Sequence, residues 1–152
     1  MEALLQAESI SNVIELAVAP VFLLASISGA LNVLSLRLGR IIDRGRKLNE
    51  IPYDPNSEQY LEADKEQRQL ARRARQIHQA IALSTMSSLF VCLVIVVLFL
   101  DALFQLHMES VIAALFIIAL LCLITGLLIF LKEISLSTHA FRFGRYKIVD
   151  KP

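Results

Sequence analysis

Three long stretches of the chain contain no Asp, Glu, Lys or Arg: Leu16–Leu36, Gln76–Leu100 and Ser110–Leu131. A helix needs roughly 20 apolar residues to cross a bilayer core about 30 Å thick, and each stretch is long enough. The whole composition agrees, since 56% of the residues are hydrophobic and only 19% are charged. The sequence therefore predicts an all-α membrane protein with three spans. It excludes an ordinary soluble enzyme, a disordered chain, a secreted disulfide scaffold and a lipid-anchored soluble domain.

Lys and Arg are absent from one predicted side of the membrane. All 15 bases lie either between the first and second stretches or after the third, and none lies in the connector Asp101–Glu109. Lys and Arg in short loops are retained in the cytoplasm. We therefore expect an outer N-terminus and a cytoplasmic C-terminus. The start does not resemble a cleaved signal peptide, because the bases follow the first apolar run instead of preceding it.

The whole chain, residues 1–152, is predicted to be a single membrane domain. The spans are expected at about 13–36, 80–100 and 110–131, with a cytoplasmic tail at 132–152. Asn12 is a candidate cap of the first helix, and Pro20 is expected either to kink that helix or to lie near its first turn.

Gly and Pro are also absent from the 43 residues between Glu58 and Leu100. This absence predicts one long helix whose first half precedes the second span. Residues 37–79 are then expected to form a cytoplasmic hairpin of two helices that extend the first and second spans, with a turn near Tyr53–Ser57.

The predicted hairpin differs in charge between its tip and its root. Near the tip, three bases come level with three acids and are expected to form salt bridges: Arg44, Arg46 and Lys47 with Glu62, Asp64 and Glu66. At the root, Arg37 and Arg40 come level with other arginines. Such a basic root favours contact with anionic lipid headgroups, and the alternative is the mouth of an anion-attracting vestibule. Nucleic-acid binding is not expected, because acids are interleaved with the bases.

Signals of catalysis or metal binding are lacking. The glycines form no phosphate-binding loop, and the three histidines fall at separate levels of the predicted fold. Cys92 and Cys122 lie inside spans without a ligand motif, so we interpret them as small packing residues. Proton pumps and charge-coupled transporters place acids, bases or His in the interior of their spans, and this chain has none in a span interior. We expect no enzyme, no cofactor and no metal.

Small and polar residues instead recur at helical spacing within the spans. The first span carries Ala25, Ser28, Asn32, Ser35 and Gly39 on one stripe. A second stripe consists of Ser84, Ser88 and Cys92, and a third of Cys122 and Gly126. Such stripes are typical of close helix packing. The alternative for Ser28, Asn32 and Ser35 is the lining of a water-filled path, because Asn32 is the side chain least compatible with lipid.

The tail alternates aromatic and basic residues from Phe141 to Lys147. We interpret this segment as an interfacial anchor, with its rings at headgroup depth. Docking of the tail to a partner is the alternative.

Four segments resemble a bacterial family of small integral membrane proteins catalogued as a domain of unknown function: Val13–Leu24, Leu31–Arg44, Arg72–Ile77 and Lys132–Ile134. The resemblance covers nearly the whole chain. It implies three spans and a bacterial inner membrane, but no established activity. Its motif places Asn32, Arg37, Arg40, Asp43 and Arg44 on one helix.

Two hypotheses for function follow from these patterns. The first is a homo-oligomeric passive channel or pore, lined by Ser28, Asn32 and Ser35. Its cytoplasmic mouth would be ringed by Arg37, Arg40 and Arg44 and would favour anions. The second is a non-conducting membrane scaffold or regulator that binds a partner protein, whose identity the sequence does not specify, through the hairpin.

Overall fold

Three long helices make up the protein in a computed structural model that describes residues 2–50 and 58–141, with side chains at 12–50 and 58–135. The helices are α1 (Glu2–Glu50), α2 (Glu58–Phe104) and α3 (Glu109–Phe141). All three contain segments long and apolar enough to cross a membrane. The predicted all-α, three-span class is therefore confirmed. The expected turn at Tyr53–Ser57 lies outside the described residues.

Two helices extend further than the sequence indicated. α1 begins at Glu2, so Asn12 lies inside a helix and the prediction that it caps one is wrong. The residues before Asn12 include Ala, Leu, Gln and Glu, which are strong helix formers. Pro20 consequently lies in the helix interior and not in its first turn. α3 continues ten residues past Leu131, to Phe141.

α2 lies between the other two helices. Both α1 and α3 pack against it, whereas the backbones of α1 and α3 stay apart in the described part of the chain. The buried residues of α2 alternate at spacings of three and four: Ile77, Ala80, Ser84, Ser87, Val91 and Val94. This heptad spacing keeps long helices in contact over many turns.

α1 meets α2 along a seam that also repeats every seven residues. Its buried residues include Val13, Ile27, Leu34 and Leu48, which are separated by seven residues or a multiple of seven. Leu34 packs with Ile77 and Ala80 at the centre of this seam. Because the seam continues beyond the apolar spans to Leu48, the first and second helices form the predicted hairpin.

The loop between α2 and α3 is a short turn organised by Asp101. The backbone oxygen of Asp101 accepts a hydrogen bond from the Gln105 amide at 2.8 Å. Its side-chain Oδ1 accepts another from the Met108 amide at 2.9 Å. Gln105 and His107 have φ angles of 51° and 54°, which non-glycine residues rarely adopt. Asp101 thus holds a tight turn where the sequence suggested a longer connector.

Candidate functional site

The charge-free stretches of the three helices end at one level, on the hairpin side of the bundle. Leu34 of α1 packs with Ile77 of α2, and Phe130 of α3 packs against the same cluster. Charged residues begin within about one helical turn of these three positions. We call the bases at this level the basic boundary: Arg37, Arg40, Arg72, Arg75 and Lys132.

Arg37 is the one member of the basic boundary that joins two helices. Its Nη1 lies 3.1 Å from Oε2 of Glu133 on α3, and the Glu133 side chain is only 5% exposed. The Arg37 guanidinium also lies 5.3 Å from the centre of the Phe130 ring. The Arg37 side chain keeps 39% of its surface exposed, so one edge of the guanidinium remains open to solvent or headgroups.

This ion pair connects helices whose backbones do not otherwise approach each other in the described residues. A carboxylate removed from water needs a charged or hydrogen-bonding partner, and losing that partner is costly. Arg37 therefore holds α1 against α3 at the membrane boundary. The signal for this contact in the sequence was weak, because Glu133 directly follows Lys132 and indicated no more than the end of a span.

The other two predicted ring arginines have different surroundings. Arg44 binds Glu66 of α2 through Nε to Oε1 at 2.8 Å and Nη2 to Oε2 at 3.3 Å, so one of the salt bridges expected near the hairpin tip is found. Asp64 instead pairs with Arg68 of its own helix at 2.9 Å. Arg40 is exposed, and none of the ion pairs among the described residues involves it. Arg40 is thus the predicted ring residue that has no ion-pair partner among the described residues.

The polar stripe of α1 lies on the outer surface of the subunit. Ser28, Asn32 and Ser35 are all exposed, whereas Ile27 and Leu34 of the same helix are buried against α2. At Gly39, which continues the stripe, no atom lies within 4 Å of the position that a Cβ would occupy. The described part of this chain therefore does not cover the stripe.

Hydroxyl groups in the spans mostly satisfy their hydrogen bonds on their own helix. The Ser28 hydroxyl donates to the Leu24 carbonyl at 3.0 Å, and the hydroxyls of Ser26, Thr85 and Thr125 donate in the same way four residues back. A carboxamide has two donor hydrogens and an acceptor. The hydrogen bonds within the described residues include none from the Asn32 side chain. Asn32 is therefore the polar residue of α1 with the greatest need for an external partner.

The stripes of α2 and α3 lie partly inside the subunit, where Ser84 and Gly126 are buried. The Ser87 hydroxyl donates to the Ala119 carbonyl of α3 at 2.7 Å. A Cβ at Gly126 would lie 3.2 Å from the Ala80 carbonyl and 3.3 Å from Ser84 Oγ. The α2 contact thus uses Ala80, Ser84 and Ser87. It does not use the expected Ser88 and Cys92, which are half-buried and exposed.

An apolar groove lies on the loop side of the α1 stripe. It is lined by Ile14, Val18, Val21 and Phe22 of α1 and by Ile95 and Phe99 of α2. Phe22 is 70% exposed. Ile14, Val18 and Val21 occur at the same helical spacing as Ser28 and Asn32, so one continuous face of α1 is apolar near the loop side and polar near the hairpin side.

The described residues contain no group of three His, Cys, Asp or Glu side chains placed to hold a metal ion.

Comparison with known families places the chain in one of them. A family model described as a protein of unknown function (DUF2721) matches residues 17–143, which is most of the chain. The protein belongs to this family, and the resemblance seen in the sequence is confirmed. No curated protein and no solved structure matches the chain.

Proposed function

We propose that the protein is a homo-oligomeric passive channel of the bacterial inner membrane. The polar stripe of α1 faces the axis of the assembly in this proposal, and the hairpin side faces the cytoplasm. Three helices in one subunit do not enclose a water path, but several copies of one polar stripe arranged around an axis do. Closed symmetry is the usual way for a chain to cover such a surface with copies of itself.

The exposed carboxamide of Asn32 is the observation that carries the proposal. An unsatisfied polar group in hydrocarbon costs several kcal/mol, and the hydrogen bonds of the described residues do not satisfy this one. A neighbouring subunit or water in a central path provides the missing partners. The hydroxyl of Ser28, which bonds to its own helix, is compatible with either environment.

Anion preference in this channel comes mainly from Arg40. Arg37 and Arg44 are both paired with carboxylates, so their positive charge is largely compensated. Arg40 is one turn beyond Arg37 and exposed. A ring of uncompensated arginines raises the local concentration of anions.

The orientation in the membrane follows from the bases. All Lys and Arg residues of the chain lie between the first and second charge-free stretches or after the third, and the cytoplasmic side of a membrane retains such residues. The exposed members of the basic boundary bind anionic headgroups there.

In a variant without Cys92 and Cys122, a cysteine at Leu5 should react in whole cells with a membrane-impermeant thiol reagent, and a cysteine at Asn56 should not. The reverse pattern would exclude this orientation.

Recordings from purified protein in planar bilayers test the channel. We expect anion-selective currents that lose their selectivity in Arg40→Glu, with Arg46→Glu as the control because Arg46 lies further from the spans on the same helix. Asn32→Leu should abolish the current. The absence of current in the unmodified protein under voltage, tension and pH changes would reject the channel.

A non-conducting scaffold is the second candidate, and a specific surface favours it. A groove on the hairpin is lined by Ile41, Ile42 and Gly45 of α1 and by Leu70, Ala71 and Ala74 of α2. Ile42 is 48% exposed, although the groove lies beyond the apolar spans. A scaffold would bind a partner protein through this groove and would conduct no current. Its copies would still assemble with the same stoichiometry, so only the recordings separate it from the channel.

A further inference from the structure

A second groove lies at the far end of the hairpin, and we call it the tip groove. It has a volume of about 280 Å³ and is lined by Arg44, Lys47 and Leu48 of α1 and by Glu62, Ala63 and Glu66 of α2. Leu48 is buried and Ala63 is half-buried, so the floor of the groove is apolar. The wall formed by α2 is acidic, whereas the wall formed by α1 is basic.

The tip groove opens on the side of the hairpin along which α3 packs. Arg44 follows Arg37 by seven residues, which is two helical turns, and Arg37 reaches Glu133 of α3. On α2, Glu66 precedes Ser87 by three heptads, and Ser87 contacts α3 through the Ala119 carbonyl. Residues one or more heptads apart lie on the same side of a helix in this packing. Both walls of the groove therefore continue the surface that α3 covers closer to the apolar spans.

α3 ends at the entrance of the tip groove. Its last residue, Phe141, lies eight residues, or about 12 Å, beyond Glu133 at the rise of an α-helix. Arg44 lies seven residues, or about 10 Å, beyond Arg37. Because Arg37 and Glu133 are in contact, Phe141 comes level with Arg44. Residues 142–152 leave α3 at this point.

The charge of residues 142–152 is opposite to that of the α2 wall. The segment has four bases, Arg142, Arg145, Lys147 and Lys151, against the single acid Asp150, and it also has Phe143 and Tyr146. Glu58, Glu62 and Glu66 follow one another at four-residue spacing along α2, which places them in one row. Glu66 binds Arg44, but none of the ion pairs among the described residues involves Glu62.

We propose that residues 142–152 bind in the tip groove of the same chain. Their aromatic side chains contact Leu48 and Ala63, and their bases pair with Glu62 and Glu58. The length of α3 disfavours the alternative of an interfacial anchor. Its ten residues beyond Leu131 carry the chain about 15 Å past the end of the apolar span, whereas a headgroup layer is roughly 5–8 Å thick. The proposal depends neither on the channel nor on the orientation in the membrane, because groove and tail lie on the same side.

Disulfide cross-linking of the full chain tests this proposal. In a background of Cys92→Ala and Cys122→Ala, one protein carries Ala63→Cys with Gly144→Cys. The matched control carries Ala71→Cys with Gly144→Cys, because Ala71 lies on the same helix but in the other groove. Both proteins are oxidised in vesicles of phosphatidylcholine, with and without phosphatidylglycerol. Adding Glu62→Lys to the first pair tests the contribution of charge.

We expect an intramolecular cross-link at 63 that forms about tenfold faster than at 71, since binding in the tip groove raises the effective concentration of residue 144 near Ala63 and not near Ala71. Its rate should not depend on protein concentration, and Glu62→Lys should slow it. A covalent dimer joined through residue 63 of one copy and residue 144 of another would assign the groove to the tail of a neighbouring copy and overturn the proposal. Equal rates at 63 and 71 would also overturn it. Loss of the cross-link only in phosphatidylglycerol vesicles would show that the tail binds lipid instead.

Discussion

Two sets of small and polar residues in the spans contain similar side chains but lie in opposite environments. Ser84, Ser87 and Gly126 are fully enclosed between α2 and α3, where a backbone carbonyl comes within 3.2 Å of a Cβ position. Ser28, Asn32 and Ser35 of α1 are exposed on the surface of the subunit. The enclosed set uses the small volume of its residues to bring the backbones of α2 and α3 together. The open stripe of α1 is not used for such a close contact within the described part of the subunit.

The difference lies in what each stripe needs from its surroundings. Small residues between α2 and α3 allow van der Waals contact over many atoms, which is the main source of helix association in lipid. The stripe of α1 contains a carboxamide, whose donors and acceptor need partners that neither lipid nor its own helix supplies. A stripe of small residues thus indicates a contact inside the subunit, whereas a stripe with an unsatisfied amide indicates a contact outside it.

The largest effect is expected from filling the enclosed stripe. Gly126→Leu should lower the free energy of unfolding by about 3 kcal/mol, because a Cβ there already meets the Ala80 carbonyl and the Leu83 Cβ and overpacking is costly. Gly29→Leu is the control, since no atom lies within 4 Å of its Cβ position. Unfolding in sodium dodecyl sulfate from mild detergent measures both. Equal losses would mean that α2 and α3 are not tightly packed.

A smaller effect is expected at the link between α1 and α3. Arg37→Ala should cost about 2 kcal/mol of unfolding free energy, because it removes a cationic partner from a buried carboxylate. Arg44→Ala removes a partner from the more exposed Glu66 and should cost less than about 1 kcal/mol. The same detergent titration compares the two. A larger loss for Arg44→Ala would contradict the role given to Arg37.

The smallest effect on the isolated subunit is expected on the open stripe. Asn32→Leu should leave subunit unfolding almost unchanged, because Asn32 is exposed, but it should weaken assembly by about 1 kcal/mol per interhelical hydrogen bond lost. Ser26→Leu is the control, since its hydroxyl bonds to the Phe22 carbonyl of its own helix. Subunit stoichiometry by light scattering in detergent measures assembly. If the unmodified protein is monomeric at every concentration tested, the proposed oligomer is rejected.

Much of the fold was predictable because it depends on local patterns and on the bilayer. Charge-free stretches long enough to span a membrane specify three helices, and the absence of Gly and Pro after Glu58 predicts one continuous α2. The helix ends were less predictable. Without a breaker between Glu2 and Asn12, helix formation extends to the first described residue, and α3 likewise continues past Leu131.

The level of the Arg44–Glu66 pair was also predictable, because two antiparallel helices with a turn predicted near Tyr53–Ser57 fix which residues come opposite. The Arg37–Glu133 pair was not predictable, because it depends on where α3 packs around α2. The sequence by itself therefore determined the number of helices and the approximate positions of their apolar spans, through hydrophobicity and spacing along one chain. Only the tertiary structure decided which set of small residues is enclosed, which is open and which arginines have a carboxylate partner, because these depend on the rotation of each helix against its neighbours.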